Sequence, residues 1–109
     1  MNTSASIGIW SKSTGNIVSN FESEMGEPEE LGKILTGLFS SPKEALRAAI
    51  LGILCDKDPD NALVFDDVNS YLENSGSDYT YLYDGDCWFL AQNGTKSFEE
   101  LEHFLLTSH

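Results

Sequence analysis

At 109 residues and 12.0 kDa the chain has the size of one domain, 1–109, long enough to bury a single core. Hydrophobic content of 40% without a long apolar run excludes a membrane span, and no basic start leads into an apolar export signal, so a cytoplasmic protein with no membrane contact is expected. With 18 acidic residues against 6 basic the formal charge is −12, which disfavours direct nucleic-acid binding and leaves a basic protein partner, a cation or plain solubility as its meaning.

Residues 6–12 and 16–21 carry Ile7, Ile9, Trp10, Ile17, Val18 and Phe21 around Ser13-Thr14-Gly15-Asn16. Apolar runs around such a turn predict a hairpin whose loop is two or four residues long. The acidic cluster Glu22, Glu24, Glu27, Glu29 and Glu30 follows, with Gly26 and Pro28 marking a helix start. Carboxylates there suit the positive end of the helix dipole, which accounts for them without a binding role, and a binding surface is the alternative. Leu31, Ile34, Leu35, Leu38 and Phe39 then repeat at the spacing of one buried helical stripe.

Ser41-Pro42-Lys43-Glu44 is a capping box with proline at the first helical position. Residues 45–55 are apolar nearly all round, so this should be the central, most buried helix, with Leu46, Ala49, Ile50, Ile53 and Leu54 facing inward.

Residues 56–67 resemble the calcium loop of EF-hand proteins, with Asp56, Asp58 and Asp60 at the first, third and fifth positions, Leu63 at the eighth and Asp67 at the twelfth. The resemblance implies a calcium site at Asp56, Asp58, Asp60 and Asp67. It departs at Asn61, where the loop has glycine, at Pro59, and at Asp67, which reaches less far than the bidentate glutamate. Tight calcium binding is therefore not expected, and a polar turn capping the next helix accounts for the same residues. Phe65, Val68, Tyr71 and Leu72 predict that short helix, and 74–77 a linker.

Residues 79–83, Asp84-Gly85 and 86–91 form the strongest local signal, a second hairpin with a type I′ turn. A two-residue turn would pair Tyr83 with Asp86, Tyr81 with Trp88 and Tyr79 with Leu90 on one face, leaving Thr80, Leu82, Cys87, Phe89 and Ala91 on the other. The second face reads as core. The first is rich in side chains that are large but polar-tipped, and either helices cover it or a partner does. After Asn93-Gly94-Thr95, read as a turn, Ser97-Phe98-Glu99-Glu100 forms another capping box, and Phe98, Leu101, Phe104 and Leu105 line the last helix. The expected fold is α+β, with N- and C-terminal hairpins making one antiparallel sheet of about four strands, helices on one face, a helical middle and a C-terminal helix.

Catalysis finds little support. His103 and His109 are the only histidines, no turn presents a nucleophile, and Cys55 and Cys87 read as reduced and buried. No cofactor is expected beyond the calcium alternative.

The run 26–35, Gly-Glu-Pro-Glu-Glu-Leu-Gly-Lys-Ile-Leu, and Tyr79-Thr80-Tyr81-Leu82-Tyr83-Asp84 with Trp88 and the closing helix resemble small bacterial and phage-encoded proteins of unassigned function. Their pattern is a strand, a Gly-x-Pro helix and a late tyrosine-rich hairpin. The chain departs from it at Glu27, where tyrosine is expected, and in its middle segment. In size and acidity it is also similar to phage inhibitors of host defence, some of which imitate DNA. The resulting expectation is a non-enzymatic, acidic protein-binding module acting on a basic, nucleic-acid-binding site of a larger host protein. Its candidate partner-binding residues are Glu27, Glu29, Glu30, Tyr79, Tyr81, Tyr83, Asp84, Asp86 and Trp88. The alternatives are a calcium-binding protein and an immunity or antitoxin-type partner. Oligomeric state is not legible.

Overall fold

The computed structural model describes residues 3–23, 25–53, 57–92 and 97–107. Strands β1 (Ala5–Trp10) and β2 (Ile17–Glu22) form the first hairpin, closed by Ser11 N–H donating to Asn16 O at 2.9 Å and Gly15 N–H to Ser11 O at 2.7 Å. Residues 12–15 make the turn, so the longer expected loop is the one present. A wide π-helical turn, Pro28–Gly32, leads into α1 (Lys33–Leu38). Helix α2 (Pro42–Leu51) starts as expected, with Ser41 Oγ accepting from Glu44 N–H at 3.4 Å. A short strand, β3 (Leu63–Phe65), precedes α3 (Val68–Asn74), which Asp67 caps by accepting from Ser70 N–H at 2.7 Å.

The second hairpin is β4 (Tyr79–Tyr83) and β5 (Trp88–Gln92). Its register differs from the expected one by two residues: Tyr83 lies opposite Trp88, Tyr81 opposite Leu90 and Tyr79 opposite Gln92. Residues 84–87 all enter the turn because Asp84 Oδ1 accepts from Asp86 N–H at 2.9 Å and Cys87 N–H at 3.0 Å, folding the loop on its own side chain. A two-residue shift leaves every side chain on its expected face. Two residues, Glu99–Glu100 (β6), pair with β5 before α4 (Leu101–Thr107), so the expected capping-box glutamates are strand rather than helix.

The α+β class holds, but the sheet has six strands in the order β3-β2-β1-β4-β5-β6 rather than about four. It is also mixed, since β1 and β4 run parallel, Ala5 beside Tyr79 and Ile9 beside Tyr83. Helices cover both faces rather than one. Ala5, Ile7, Tyr81, Tyr83, Trp88 and Leu90 meet Leu31, Leu35, Phe39, Ala45, Ala48 and Leu101 in the main core, while Ile17 and Leu82 meet Tyr71 of α3 on the reverse side. Parallel strands persist only where both faces are covered, which places β1 and β4 at the centre.

Two helical stripes depart from expectation at Leu38 and Leu46, while Leu31, Ile34, Leu35, Phe39, Ala49 and Ile53 are buried or packed against the core as expected. The π-helical turn is wider than an α turn, so Leu31, Leu35 and Phe39 face the core at intervals of four and Leu38 is 71% exposed. Helix α2 approaches the sheet through Ala45, Ala48 and Ala49, leaving Leu46 exposed, because only the small side chains admit the close contact with β1 and β2.

Gly8 explains how α3 reaches the reverse face. A Cβ built there would lie 2.8 Å from both Cζ and Oη of Tyr71, whose hydroxyl donates to Tyr81 O at 2.7 Å. The ring occupies the space a side chain on β1 would need. Gly8→Ala should therefore cost about 1–3 kcal/mol by overpacking. In a double-mutant cycle with Tyr71→Ala, the penalty of Gly8→Ala should largely vanish; an undiminished penalty would mean that the clash is not what Gly8 relieves.

Candidate functional site

The tyrosine-rich face of the second hairpin is covered by helices, and this corrects the assignment of Tyr81, Tyr83 and Trp88 to a partner surface. All three are buried. Their polar tips end on backbone carbonyls around the first helical segment: Tyr81 OH donates to Gly26 O at 2.7 Å, Trp88 Nε1 to Phe39 O at 2.9 Å and Tyr83 OH to Ser40 O at 3.2 Å. Burial pushes the Tyr81 phenol far above its ordinary range, and does the same to Tyr71. Tyr79, at the start of β4, is half-buried against the same core.

The acidic candidates fall into two groups at opposite ends of the sheet. Asp84 and Asp86 occupy the β4–β5 turn, where Asp84 caps the loop and exposed Asp86 pairs with Lys12 of the neighbouring turn at 3.7 Å. Glu27, Glu29 and Glu30 open the first helical segment beside the start of β1. The paired strands between these ends span about 13 Å for four residue steps, so the two groups do not form one cluster. Glu29 and Glu30 are exposed. Glu27 accepts a short hydrogen bond from Thr3 Oγ1, which, with its own backbone N–H, holds its carboxyl below the ordinary value of 4.5.

The expected calcium residues are drawn apart. Asp58 caps the turn Pro59–Asn61 by accepting from Asp60 N–H at 2.9 Å, β3 runs on from there, and Asp67 caps α3 beyond it. Asp56 lies outside the described residues, and among those described no three ligand-type side chains gather as a metal site. Cys87 is half-buried, and burial followed by the neighbouring Asp84 and Glu100 pushes its thiol up, away from a reactive thiolate. His103 is exposed on α4; His109 and Cys55 lie outside the described residues.

A surface the sequence reading missed is the outer edge of β3. Leu63 is 53% exposed and Val64 62%, and Phe21, on the next strand two residues along from Ser19, the partner of Leu63, is 44% exposed. Because Ser11 N–H bonds Asn16 O, ladder alternation turns the backbone groups of Val18 toward β1 and those of Ile17 and Ser19 toward β3. Val64, opposite Val18, therefore directs its own N–H and C=O to the open edge. Exposed Asp58 and Asp60 precede the strand and exposed Asp66 and Asp67 follow it. The legible signal was the apolar run Leu63-Val64-Phe65 bounded by Asp, Asn and Pro, hidden by its likeness to a calcium loop. A groove of about 410 Å³ lies between α1 and α4, lined by Lys33, Thr36, Gly37, Glu102, Leu105 and Leu106.

No family model matches the chain, and no curated protein or solved structure matches it. Among the described residues no helix is long and apolar enough to cross a membrane.

Two expectations follow. Trp88→Ala should destabilise the domain by about 3–5 kcal/mol in denaturant unfolding, since it empties core volume and orphans Phe39 O. Glu27, with its pKa lowered on folding, contributes stability that is present above pH about 4.5 and lost as pH falls through its folded value. Thr3→Val should lower stability at neutral pH and flatten the loss below pH about 4.5, read from melting temperatures across an acid series; an unchanged acid limb would show that this hydrogen bond does not set it.

Proposed function

We propose that the protein is a non-enzymatic binding module that sets its acidic surface against a basic, nucleic-acid-binding site on a larger host protein, acting as a phage- or mobile-element-encoded inhibitor that stands in for DNA. The observation that carries this reading is how the charge is displayed. Glu29, Glu30, Asp60, Asp66, Glu99 and Glu102 are exposed and, among the described residues, in no ion pair. The ion pairs that do form there, Lys12–Asp86 at 3.7 Å, Arg47–Glu44 at 3.6 Å and Lys57–Glu22 at 3.9 Å, leave the formal net charge of −12 unchanged, since it already sets every basic residue against an acidic one. Such a surface repels itself, attracts a basic partner over a Debye length, and lets carboxylates occupy positions where phosphates would sit.

The test is capture of host proteins on the immobilised chain at low and high salt, with duplex DNA as competitor. A specific partner should be retained at low salt, released by high salt and displaced by DNA. Glu29→Lys combined with Glu30→Lys should slow its association by about tenfold while leaving the circular dichroism spectrum unchanged. If retention is indifferent to salt, DNA and charge reversal, the acidic surface serves only solubility.

A further inference from the structure

The two edges of the sheet are built in opposite ways. Edge β6 is two residues long and both are exposed glutamates, a charged edge that discourages pairing. Edge β3 places its apolar side chains within the strand, with Leu63 and Phe21 exposed on one face and Val64 on the other, and keeps its charges outside it, at Asp58, Asp60, Asp66 and Asp67. Between them Val64 turns outward a backbone donor and acceptor that, among the described residues, have no ladder partner. An apolar edge with open ladder groups accepts another strand, and its flanks select which strand.

A second copy of this chain does not suit it. Antiparallel pairing of β3 with itself about Val64 would bring the Asp58–Asp60 turn of one copy to the same end of the ladder as Asp66 and Asp67 of the other, at both ends, between molecules each carrying −12. Like charges gathered within a Debye length at each end of the pair, on molecules of high net charge, oppose association. The same four carboxylates complement an extended segment with lysine or arginine on either side of a short apolar core.

We infer that the β3 edge is the docking site for such a segment of the partner protein, which adds to the six-stranded sheet as a further strand. The sign of the partner's charge rests on the function proposed above; the location rests on the edge itself. Because β3 is only three residues long, the backbone contributes little more than the pair of bonds at Val64. Leu63 and Phe21 supply the apolar contact and the flanking aspartates the orientation.

The probe is the peptide Lys-Arg-Val-Thr-Val-Arg-Lys, with Lys-Arg-Pro-Thr-Pro-Arg-Lys as an equally charged control whose prolines cannot complete a ladder. Both are titrated at low salt into isotope-labelled full chain and followed by amide chemical shifts. The first peptide should perturb β2 and β3 and bind at least tenfold more tightly than the control. Val64→Pro, which removes only an outward N–H of a kind edge strands tolerate losing, should weaken it at least tenfold, as should Val64→Lys, which keeps the ladder and adds a repelling cation. Asp60→Asn with Asp66→Asn should weaken it several-fold at low salt and little at high salt. Equal binding of both peptides would overturn the docking site while leaving the acidic-module reading standing. Binding by neither would overturn both. A dimer in sedimentation that Val64→Pro dissociates would assign the edge to a second copy and overturn the inference.

Discussion

Three hydrogen bonds from aromatic tips to main-chain carbonyls hold the fold in register: Tyr81 to Gly26, Trp88 to Phe39 and Tyr83 to Ser40. The first lies just before the π-helical turn, and the other two lie just past the end of α1. Together they fasten both ends of that helical segment to β4 and β5. Phe39 O is one of the carbonyls a helix end leaves without an internal partner, and the indole satisfies it. Each donor, if buried without its carbonyl, would cost about 1–3 kcal/mol, so the aromatic face and the helix ends require one another. Gly26 makes the approach possible: a Cβ there would come within 2.8 Å of Ser4 backbone atoms, while its N–H bonds Thr3 O at 2.9 Å. Among the described residues no buried side-chain nitrogen or oxygen lacks a partner.

On the reverse face the same device recurs with one residue. Tyr71 reaches the central strands over Gly8, donates to Tyr81 O and packs beside Phe65 and Phe98 with ring centroids 5.2 and 6.4 Å away. Next to it a small hydroxyl network, Ser6 with Ser77 at 2.7 Å and Ser75 with Thr80 at 2.8 Å, ties the linker after α3 to the sheet. With both faces covered, the central strands can run parallel. Tyr71, Tyr81, Tyr83 and Trp88 are thereby committed to the interior.

Outside that interior, the rim of the sheet carries both the surplus charge and an exposed strand edge. Carboxylates lie at both ends of the sheet and around β3, where the apolar edge is open, whereas the other edge carries glutamates in the strand itself. Charge of one sign generally speeds encounter with an oppositely charged partner, and Leu63 and Val64 lie exposed at the β3 edge.

Local chemistry was legible in the sequence because it acts over a few residues: the hairpins around Gly15 and Gly85, the proline starts at Pro28 and Pro42, the serine cap at Ser41, and the assignment of the tyrosines and Trp88 to a single face. Phase and partnership were not. One π-helical turn rotated the stripe that leaves Leu38 outside, one aspartate side chain lengthened the β4–β5 turn, and Leu63-Val64-Phe65 became a strand only because β2 offered it a ladder. The sequence by itself determined the α+β class, the hairpins and the surplus of negative charge, since these follow from residue type and near-neighbour spacing. Only the tertiary structure decided that β1 and β4 run parallel, that helices and not a partner cover the aromatic face, and that β3 forms an open edge, since each depends on contacts between segments tens of residues apart, which no local pattern encodes.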